Sequence, residues 1–296
     1  MAPSEGYLTM DDGLRLFYRT RGEGPATVIV PNGFYLGALE PLAEGRRLVL
    51  YDPRNRGLSD PLAGTSKGKA GIRQDVLDLE AVRRHLAVEV LDLVGHSYMG
   101  VTVILYAAHY PDHVNRVVQI GPLGPSPDRE YPAHLTSADA VLRDVMARLA
   151  RLQEERASLD PEELCRKAWS VLRPLYVADP AAADKIDWDR CDLPNERGFM
   201  QYWSQCLLPS IRDLRLTDRD LEAVRTPVLT VHGRKDRSAP YGGGREWALR
   251  LPNARLLTVE NAGHAPWIEA RETVFAAIGA FLEGAWPEGA EEVLRL

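Results

Sequence analysis

The chain has few cysteines and no long apolar run. Its 296 residues include only three cysteines, Cys165, Cys191 and Cys206, and none of them form a Cys-x-x-Cys pair. An odd number of scattered cysteines argues against a disulfide framework and favours a reducing, cytoplasmic location. No apolar stretch approaches the ~20 residues that a membrane-spanning helix needs. The N-terminal residues also lack the basic and apolar regions of a secretory signal.

The chain also has only a small excess of negative over positive charge. The formal net charge is −6 and basic residues form no stripe, so we expect neither nucleic acid nor a membrane as a partner. The histidines form no H-E-x-x-H or similar pattern, so we expect no metal site and no cofactor. With 45% apolar and 26% charged residues, the composition is that of an ordinary globular protein. The length suits one α/β domain that carries a sizeable insertion.

Short runs of β-forming residues alternate with helical patterns over the first 120 residues. A hairpin is expected around Asp11-Asp12-Gly13, between two short alternating runs. Beyond it, strands are expected at 27–30, 47–51, 90–94 and 114–120, with helices at 72–86 and 101–109. This alternation predicts a mostly parallel, doubly wound sheet with right-handed crossovers.

The alternation stops at a Gly-Pro-rich turn, residues 121–125, and resumes at Thr226. Between them the pattern is helical without a clear strand, and the best helix candidates are 138–155, 161–177 and 195–208. We therefore predict a core formed by residues 1–122 and 226–296 and an inserted helical cap, residues 123–225. The tail, residues 286–296, is expected to form at most a short helix.

Ser97 follows the β-rich run Leu93-Val94-Gly95-His96 and precedes a helical pattern. A sharp strand-to-helix turn holds a serine hydroxyl clear of the sheet. It also directs the first N–H groups of the helix towards the place where an oxyanion would form. The usual G-x-S-x-G pattern has glycine where this chain has Met99. We expect Met99 to pack between sheet and helix and to leave the turn intact.

Two further polar residues follow the ends of later strands. The run 227–231 leads into a loop that contains Asp236, and the run 254–259 leads into a loop that contains His264. Each alone would be an ordinary turn or structural residue. Parallel sheets place their chemistry at the carboxyl ends of strands, however, and the chain order Ser, Asp, His is that of a nucleophilic triad.

With these motifs the chain resembles the α/β-hydrolase-fold serine hydrolases, from about Ala26 to Glu283 apart from the insertion. The blocks that carry the resemblance are 31–34 (Pro-Asn-Gly-Phe), 52–60, the serine turn and the loops of Asp236 and His264. The resemblance implies an α/β-hydrolase sheet, an acyl-enzyme on Ser97, His264 as base and Asp236 as its orienting group. It also implies an oxyanion hole formed by the backbone amides of Tyr98 and Phe34.

Three functions remain open at this point. The first is hydrolysis of a small-molecule ester or related acyl compound. The second is a prolyl-aminopeptidase-like activity, because the run 75–86 is similar to the helix before the serine in that group, although its G-G-S-W-G and H-G-G-P-G motifs are absent. The third is ligand binding without turnover, and the only feature that supports it is Met99 in place of the glycine of the G-x-S-x-G pattern.

Several other residues have a structural and a functional interpretation. Acids of the insertion could capture a substrate amino group, or Arg190 and Arg197 could neutralise them; the acids are Asp187, Asp189, Asp192 and Glu196. Its aromatic residues are expected to be mostly cap core, with one or two lining a pocket; they are Trp169, Tyr176, Trp188, Phe199, Tyr202 and Trp203. We interpret His96 and His232 as packed residues, and Arg54 and Arg56 as braces between loops.

Overall fold

The computed structural model describes residues 4–32, 36–64, 68–187 and 190–295, and its strands form one sheet. The strands are β1 (Ser4–Thr9), β2 (Arg15–Arg21), β3 (Thr27–Val30), β4 (Arg47–Tyr51), β5 (Leu91–His96), β6 (Val114–Ile120), β7 (Val228–Gly233), β8 (Ala254–Val259) and β9 (Ala290–Glu291). Their order across the sheet is β1-β2-β4-β3-β5-β6-β7-β8-β9. β4, β3, β5, β6, β7 and β8 run parallel, while β1, β2 and β9 pair antiparallel at the two edges.

Helices connect the strands and cover both faces of the sheet. They are α1 (Leu36–Leu39), α2 (Ile72–His85), α3 (Met99–His109), α4 (Ala140–Glu155), α5 (Pro161–Leu172), α6 (Pro194–Arg197), α7 (Phe199–Tyr202), α8 (Leu208–Arg212), α9 (Asp218–Glu222), α10 (Tyr241–Arg250) and α11 (Arg271–Leu282). α2, α3 and α10 share one buried cluster with one set of strand residues, and α11 shares another with the alternate set. Because successive strand residues point to opposite faces, the sheet is covered on both sides, which confirms the predicted fold class.

The chain between β6 and β7 is helical, and its helices begin where the sequence places caps. The Asp139 carboxylate accepts a hydrogen bond from the Leu142 N–H at the start of α4. Asp160 likewise accepts from the N–H groups of Glu162 and Glu163 at the start of α5, which has Pro161 in its first turn. Among the described residues of this segment no strand is present. Its division from the core as a separate cap stays a prediction.

The expectation of a helical tail is wrong. Residues Ala290–Glu291 instead pair with Leu256 and Leu257 of β8 as a short antiparallel strand. β8 would otherwise be the edge of the sheet, and its free backbone groups accept any extended segment that reaches them.

The cysteine expectation is also wrong. Cys165 in α5 and Cys191 form a disulfide across 26 residues of sequence, with their Cα atoms 5.8 Å apart, while Cys206 is free. The folding of the insertion brings the two together, and no sequence spacing reveals that. The cysteines therefore no longer favour a reducing compartment, and the cytoplasmic location stays a prediction. In the part of the chain that the structure describes, no helix is both long and apolar enough to cross a bilayer.

Candidate active site

Ser97 occupies a strained turn between β5 and α3. Its φ angle is 58°, in the left-handed region that a non-glycine residue enters at a cost of roughly 1–3 kcal/mol. The turn is held on both sides: the Ser97 N–H donates to the Ile120 carbonyl at 3.0 Å, and the Ser97 carbonyl accepts from the Gly100 N–H at 3.0 Å. This is the sharp strand-to-helix turn that the sequence predicts.

Glycines around the serine allow strand and helix to approach closely. A Cβ at Gly95 would collide with the Met99 carbonyl, and one at Gly100 would lie 2.8 Å from the Cβ of Pro122. Met99 itself is 1% exposed and belongs to the core cluster beneath α3. The expected packing of Met99 is therefore confirmed, and Gly100 allows the close approach to the next loop.

Asp236 and His264 form a buried pair at the ends of β7 and β8. The His264 Nδ1 lies 2.8 Å from the Asp236 Oδ2, and neither side chain is exposed to solvent. The other Asp236 oxygen accepts from the N–H groups of Ser238 and Ala239, both at 2.8 Å. A carboxylate that only accepts fixes the His264 proton on Nδ1, which leaves the lone pair on Nε2.

Asp236 is held in its ionised form. Burial by itself would raise the pKa of this carboxyl, but Coulombic attraction to the His264 and His232 rings and their hydrogen bonds outweigh it. They hold the pKa below its ordinary value. Asp236 can therefore fix the ring of His264 and stabilise an imidazolium formed there.

The Nε2 atom of His264 is buried and has no hydrogen-bond partner among the described residues. Ser97 Oγ is thus not bonded to it, although His264 contacts His96, the residue before Ser97. The ring of His96, next to Ser97, lies 4.5 Å from the ring of His264, centroid to centroid. The predicted oxyanion donor Tyr98 begins α3 as its N-cap, where N–H groups have no acceptor within the helix. The other predicted donor, Phe34, lies outside the described residues.

Two histidines that the sequence assigns to packing also contact the Asp236–His264 pair. The Nε2 of His96 lies 3.0 Å from the His264 carbonyl oxygen, so its N–H holds the backbone of that loop. The His232 Nε2–H is shared between Asp236 Oδ2 at 3.1 Å and the Ala239 carbonyl at 3.2 Å. Both side chains are buried, so the packing interpretation is confirmed but incomplete. His232 ends a strand four residues before Asp236, which is the one sequence signal that could have revealed its contact.

A buried ion pair near the serine turn was not predicted from the sequence. The Arg56 guanidinium binds both carboxylate oxygens of Glu196 at 3.0 and 3.2 Å, and Glu196 also accepts from the Gly57 N–H at 2.8 Å. Arg56 further donates to the Tyr98 hydroxyl at 3.3 Å and lies 3.8 Å above the ring of Phe199. The two charged side chains are 6% and 3% exposed. Arg56 therefore braces the insertion against the core.

The remaining described acids and arginines of interest lie on the surface or in buried ion pairs. Asp192 pairs with Arg190 at 3.0 Å on the surface, and Asp187 is exposed. Asp189 and Trp188 lie outside the described residues. Arg54 is buried between Asp12 and Asp78, as expected of a loop brace. Within the described ranges, no group of three or more histidine, cysteine or acidic side chains is arranged to hold a metal ion.

Aromatic residues of the insertion lie over the site. The ring of Tyr176 is 5.1 Å from that of His264, and its carbonyl accepts from the Ala265 N–H at 2.8 Å. The ring of Trp203 is 5.6 Å from that of Tyr98. Tyr202 is buried in the cluster formed by α3 and the sheet, and Phe199 and Trp203 pack against the same cluster, so the expected cap core is wrong for these three residues.

Comparison with known proteins agrees with this architecture. The chain is 28% identical over 287 residues to a protein of Caulobacter sp. (strain K31) that is provisionally named a carbamate hydrolase. The match covers 91% of this chain and 96% of that one. It is 23% identical over 294 residues to a proline iminopeptidase of Lactobacillus helveticus, covering 92% and 95%. An esterase from Exiguobacterium antarcticum superimposes with a TM-score of 0.72 at 18% identity, covering 95% and 100%.

A family model described as the alpha/beta hydrolase fold matches residues 27–270. The match spans the parallel strands, the serine turn and the loops of both Asp236 and His264. The chain therefore belongs to the alpha/beta hydrolase family.

Proposed function

We propose that this protein is a serine hydrolase that cleaves a small ester or related acyl compound. Ser97 is the nucleophile, His264 the general base and Asp236 the group that orients it. The observation that carries the proposal is His264: a buried carboxylate holds its Nδ1, while its buried Nε2 has no partner among the described residues and lies beside the strained turn of Ser97. A base in this state has one remaining role, which is to take a proton.

The reaction has two halves. Ser97 Oγ bonds to the substrate carbonyl carbon while its proton passes to His264 Nε2, and the carbonyl oxygen becomes an oxyanion that accepts from the amides of Tyr98 and Phe34. The bond to the alcohol then breaks, and His264 gives its proton to the leaving oxygen. In the second half, water loses a proton to His264 and attacks the acyl carbon. Collapse releases the acid, and the proton returns to Ser97 Oγ.

The missing Ser97–His264 hydrogen bond is compatible with this scheme. In an empty site such bonds are often long or misaligned and shorten when substrate binds. Ser97 is partly exposed, whereas His264 is buried. The backbone on both sides of the turn is held by hydrogen bonds, so the side chain of Ser97 is the part that rotates when its hydrogen bonding changes.

The second candidate is a proline-iminopeptidase-like activity, which the relative from Lactobacillus helveticus suggests. Such an enzyme needs an acid that captures the substrate's ammonium group, because an unpaired buried ammonium costs several kcal/mol. Among the described acids of the insertion Glu196 is the buried one, but Arg56 and the Gly57 N–H occupy its carboxylate. Asp192 is paired with Arg190 on the surface. This pairing favours the neutral acyl substrate.

A matched substrate set separates the candidates. We expect p-nitrophenyl acetate to be hydrolysed by the wild type and by Ser158→Ala, which removes an exposed serine, but not by Ser97→Ala. A proline ester and a proline amide, each with and without a free amino group, complete the set. If removal of the amino group abolishes turnover of both, the peptidase assignment is correct and the esterase proposal is wrong. If Ser97→Ala hydrolyses every substrate as fast as the wild type, Ser97 has no part in turnover.

A further inference from the structure

A cavity of about 350 Å³ lies between α4, α5 and α7 of the insertion. Its lining is mainly apolar, and the members used below are Leu149, Leu164, Ala168, Trp169 and Phe199. Leu164, Trp169 and Phe199 are only half-buried, so they present apolar surface to the cavity. Small-molecule sites have this concave, apolar character, and their volumes typically begin near 300 Å³.

The cavity adjoins the predicted catalytic residues through two aromatic contacts. On one side the rings of Trp169 and Tyr176 are 5.9 Å apart, and that of Tyr176 is 5.1 Å from His264. On the other side Phe199 lies 3.8 Å from the Arg56 guanidinium, which donates to the Tyr98 hydroxyl. A group held here is therefore one side chain away from the serine turn.

The cavity walls are tied together. The disulfide joins Cys165 of α5, which lines the cavity, to Cys191 before α6. Arg197 crosses the same gap, with its Nη2 2.6 Å from Glu162 Oε2 and its Nε–H donating to the Cys191 carbonyl at 2.9 Å. A preformed cavity costs little ordering when a ligand binds, which favours binding.

Three charged side chains of the described residues line the cavity: Glu196 and Arg197 are paired, and Arg156 is exposed to solvent. Glu196 is paired with Arg56 and with the Gly57 N–H, and Arg197 is paired with Glu162. Beside Glu196 and Arg197 a charged ligand group would lose its hydration without gaining a free partner, whereas a hydrocarbon group does not pay this cost. The lining thus favours a neutral, apolar occupant.

We infer that this cavity receives a hydrocarbon group of the substrate, so that the protein acts on esters with a medium-sized apolar group on the acyl or the alcohol side. This inference rests on the proposed serine hydrolase function. The insertion then contributes to substrate specificity: α4, α5 and Phe199 contact the apolar group and limit its length, while residues of the core carry out the reaction.

Two ester series test the inference and distinguish the two sides. The acyl series is p-nitrophenyl acetate, butanoate and hexanoate, and the alcohol series is ethyl, butyl and hexyl acetate. Each methylene buried is worth about four-fold in kcat/KM at most, so we expect the longest member of one series to exceed the shortest by at least ten-fold. Ala168→Phe, which fills the cavity, should lower that long-to-short ratio at least ten-fold, and Leu149→Ala, which enlarges it, should shift the preference to longer chains.

Ala147→Phe on the exposed side of α4 is the matched control and should leave the ratio unchanged. An unchanged ratio in both Ala168→Phe and Leu149→Ala would overturn the inference. Calorimetry of Ser97→Ala with hexyl acetate and with p-nitrophenyl hexanoate, one ester for each side, separates it from the proposed function, since binding there needs no turnover. Binding that Ala168→Phe abolishes supports the cavity even if the wild type hydrolyses nothing, and the absence of binding counts against the cavity alone.

Discussion

Replacement of Glu196 by glutamine should destabilise the protein strongly. The substitution keeps the shape of the side chain and an oxygen for the Gly57 N–H, but it removes the carboxylate charge that Arg56 contacts at 3.0 and 3.2 Å. Both side chains are less than a tenth exposed, so water cannot solvate the guanidinium. Loss of one partner from such a buried pair typically costs about 3–5 kcal/mol. With an unfolding entropy of about 2.1 cal/mol/K per residue, a loss of 3 kcal/mol lowers Tm by ~5 °C for this chain.

Thermal and urea unfolding of a double-mutant cycle measure this energy. Arg56→Gln should destabilise like Glu196→Gln, while the double variant has no charge at either position. Its loss should therefore be smaller than the sum of the single losses by at least ~2 kcal/mol. Asp192→Asn is the control, because it breaks an exposed pair in the same segment and should change stability by less than about 0.5 kcal/mol. Single losses below about 1 kcal/mol for Arg56 and Glu196 would show that the pair behaves as a surface contact and refute the reasoning.

Three other predictions concern residues around the site. Burial and the charge of Asp78 raise the pKa of Asp75 from 3.8 to about 8. Between these two pH values the folded state keeps a proton that the unfolded chain releases. The free energy of unfolding therefore falls as pH rises from 4 to 8, by at most ~1.4 kcal/mol per pH unit. Asp75→Asn should therefore stabilise the protein at pH 8 relative to the wild type more than at pH 4; an equal difference at both values contradicts this. Met99→Gly should cost about 3–5 kcal/mol through the lost buried side chain and the added backbone freedom, with kcat within three-fold of the wild type; a rise of kcat by orders of magnitude would mean that the native turn is malformed. Thiol titration of the unfolded, unreduced protein should find one thiol, from Cys206, and titration after reduction should find three. Reduction of the disulfide, which closes a 26-residue loop, should also lower the free energy of unfolding by about 3 kcal/mol. Three thiols before reduction would contradict the disulfide.

The sheet and the serine turn were predictable because their signals are local. Each signal depends on neighbours in sequence: the β-rich run that ends just before Ser97, the helical pattern that follows Ser97, and the loops of Asp236 and His264. The caps of α4 and α5 belong to the same class, since Asp139 and Asp160 bond to the next turn of their own helices.

The remaining features could not be predicted because they join distant segments. Arg56 and Glu196 are 140 residues apart in sequence, and either would be an ordinary solvated side chain if considered alone. Cys165 and Cys191 meet only once the insertion is folded. The short strand Ala290–Glu291 exists because β8 offers it an open edge, and nothing in the tail itself requires it.

Labelling with a fluorophosphonate tests the central claim most directly, because the reagent phosphonylates only an activated serine and releases fluoride. Cleavage after Arg84 and Arg116 gives a tryptic peptide, residues 85–116, in which Ser97 is the only serine, so mass spectrometry of that peptide locates the adduct. Heat-unfolded protein is the control for non-specific reaction. The account predicts one adduct, on Ser97, with labelling slowed at least a hundred-fold in His264→Ala. An adduct on another peptide, or undiminished labelling of His264→Ala, would contradict it.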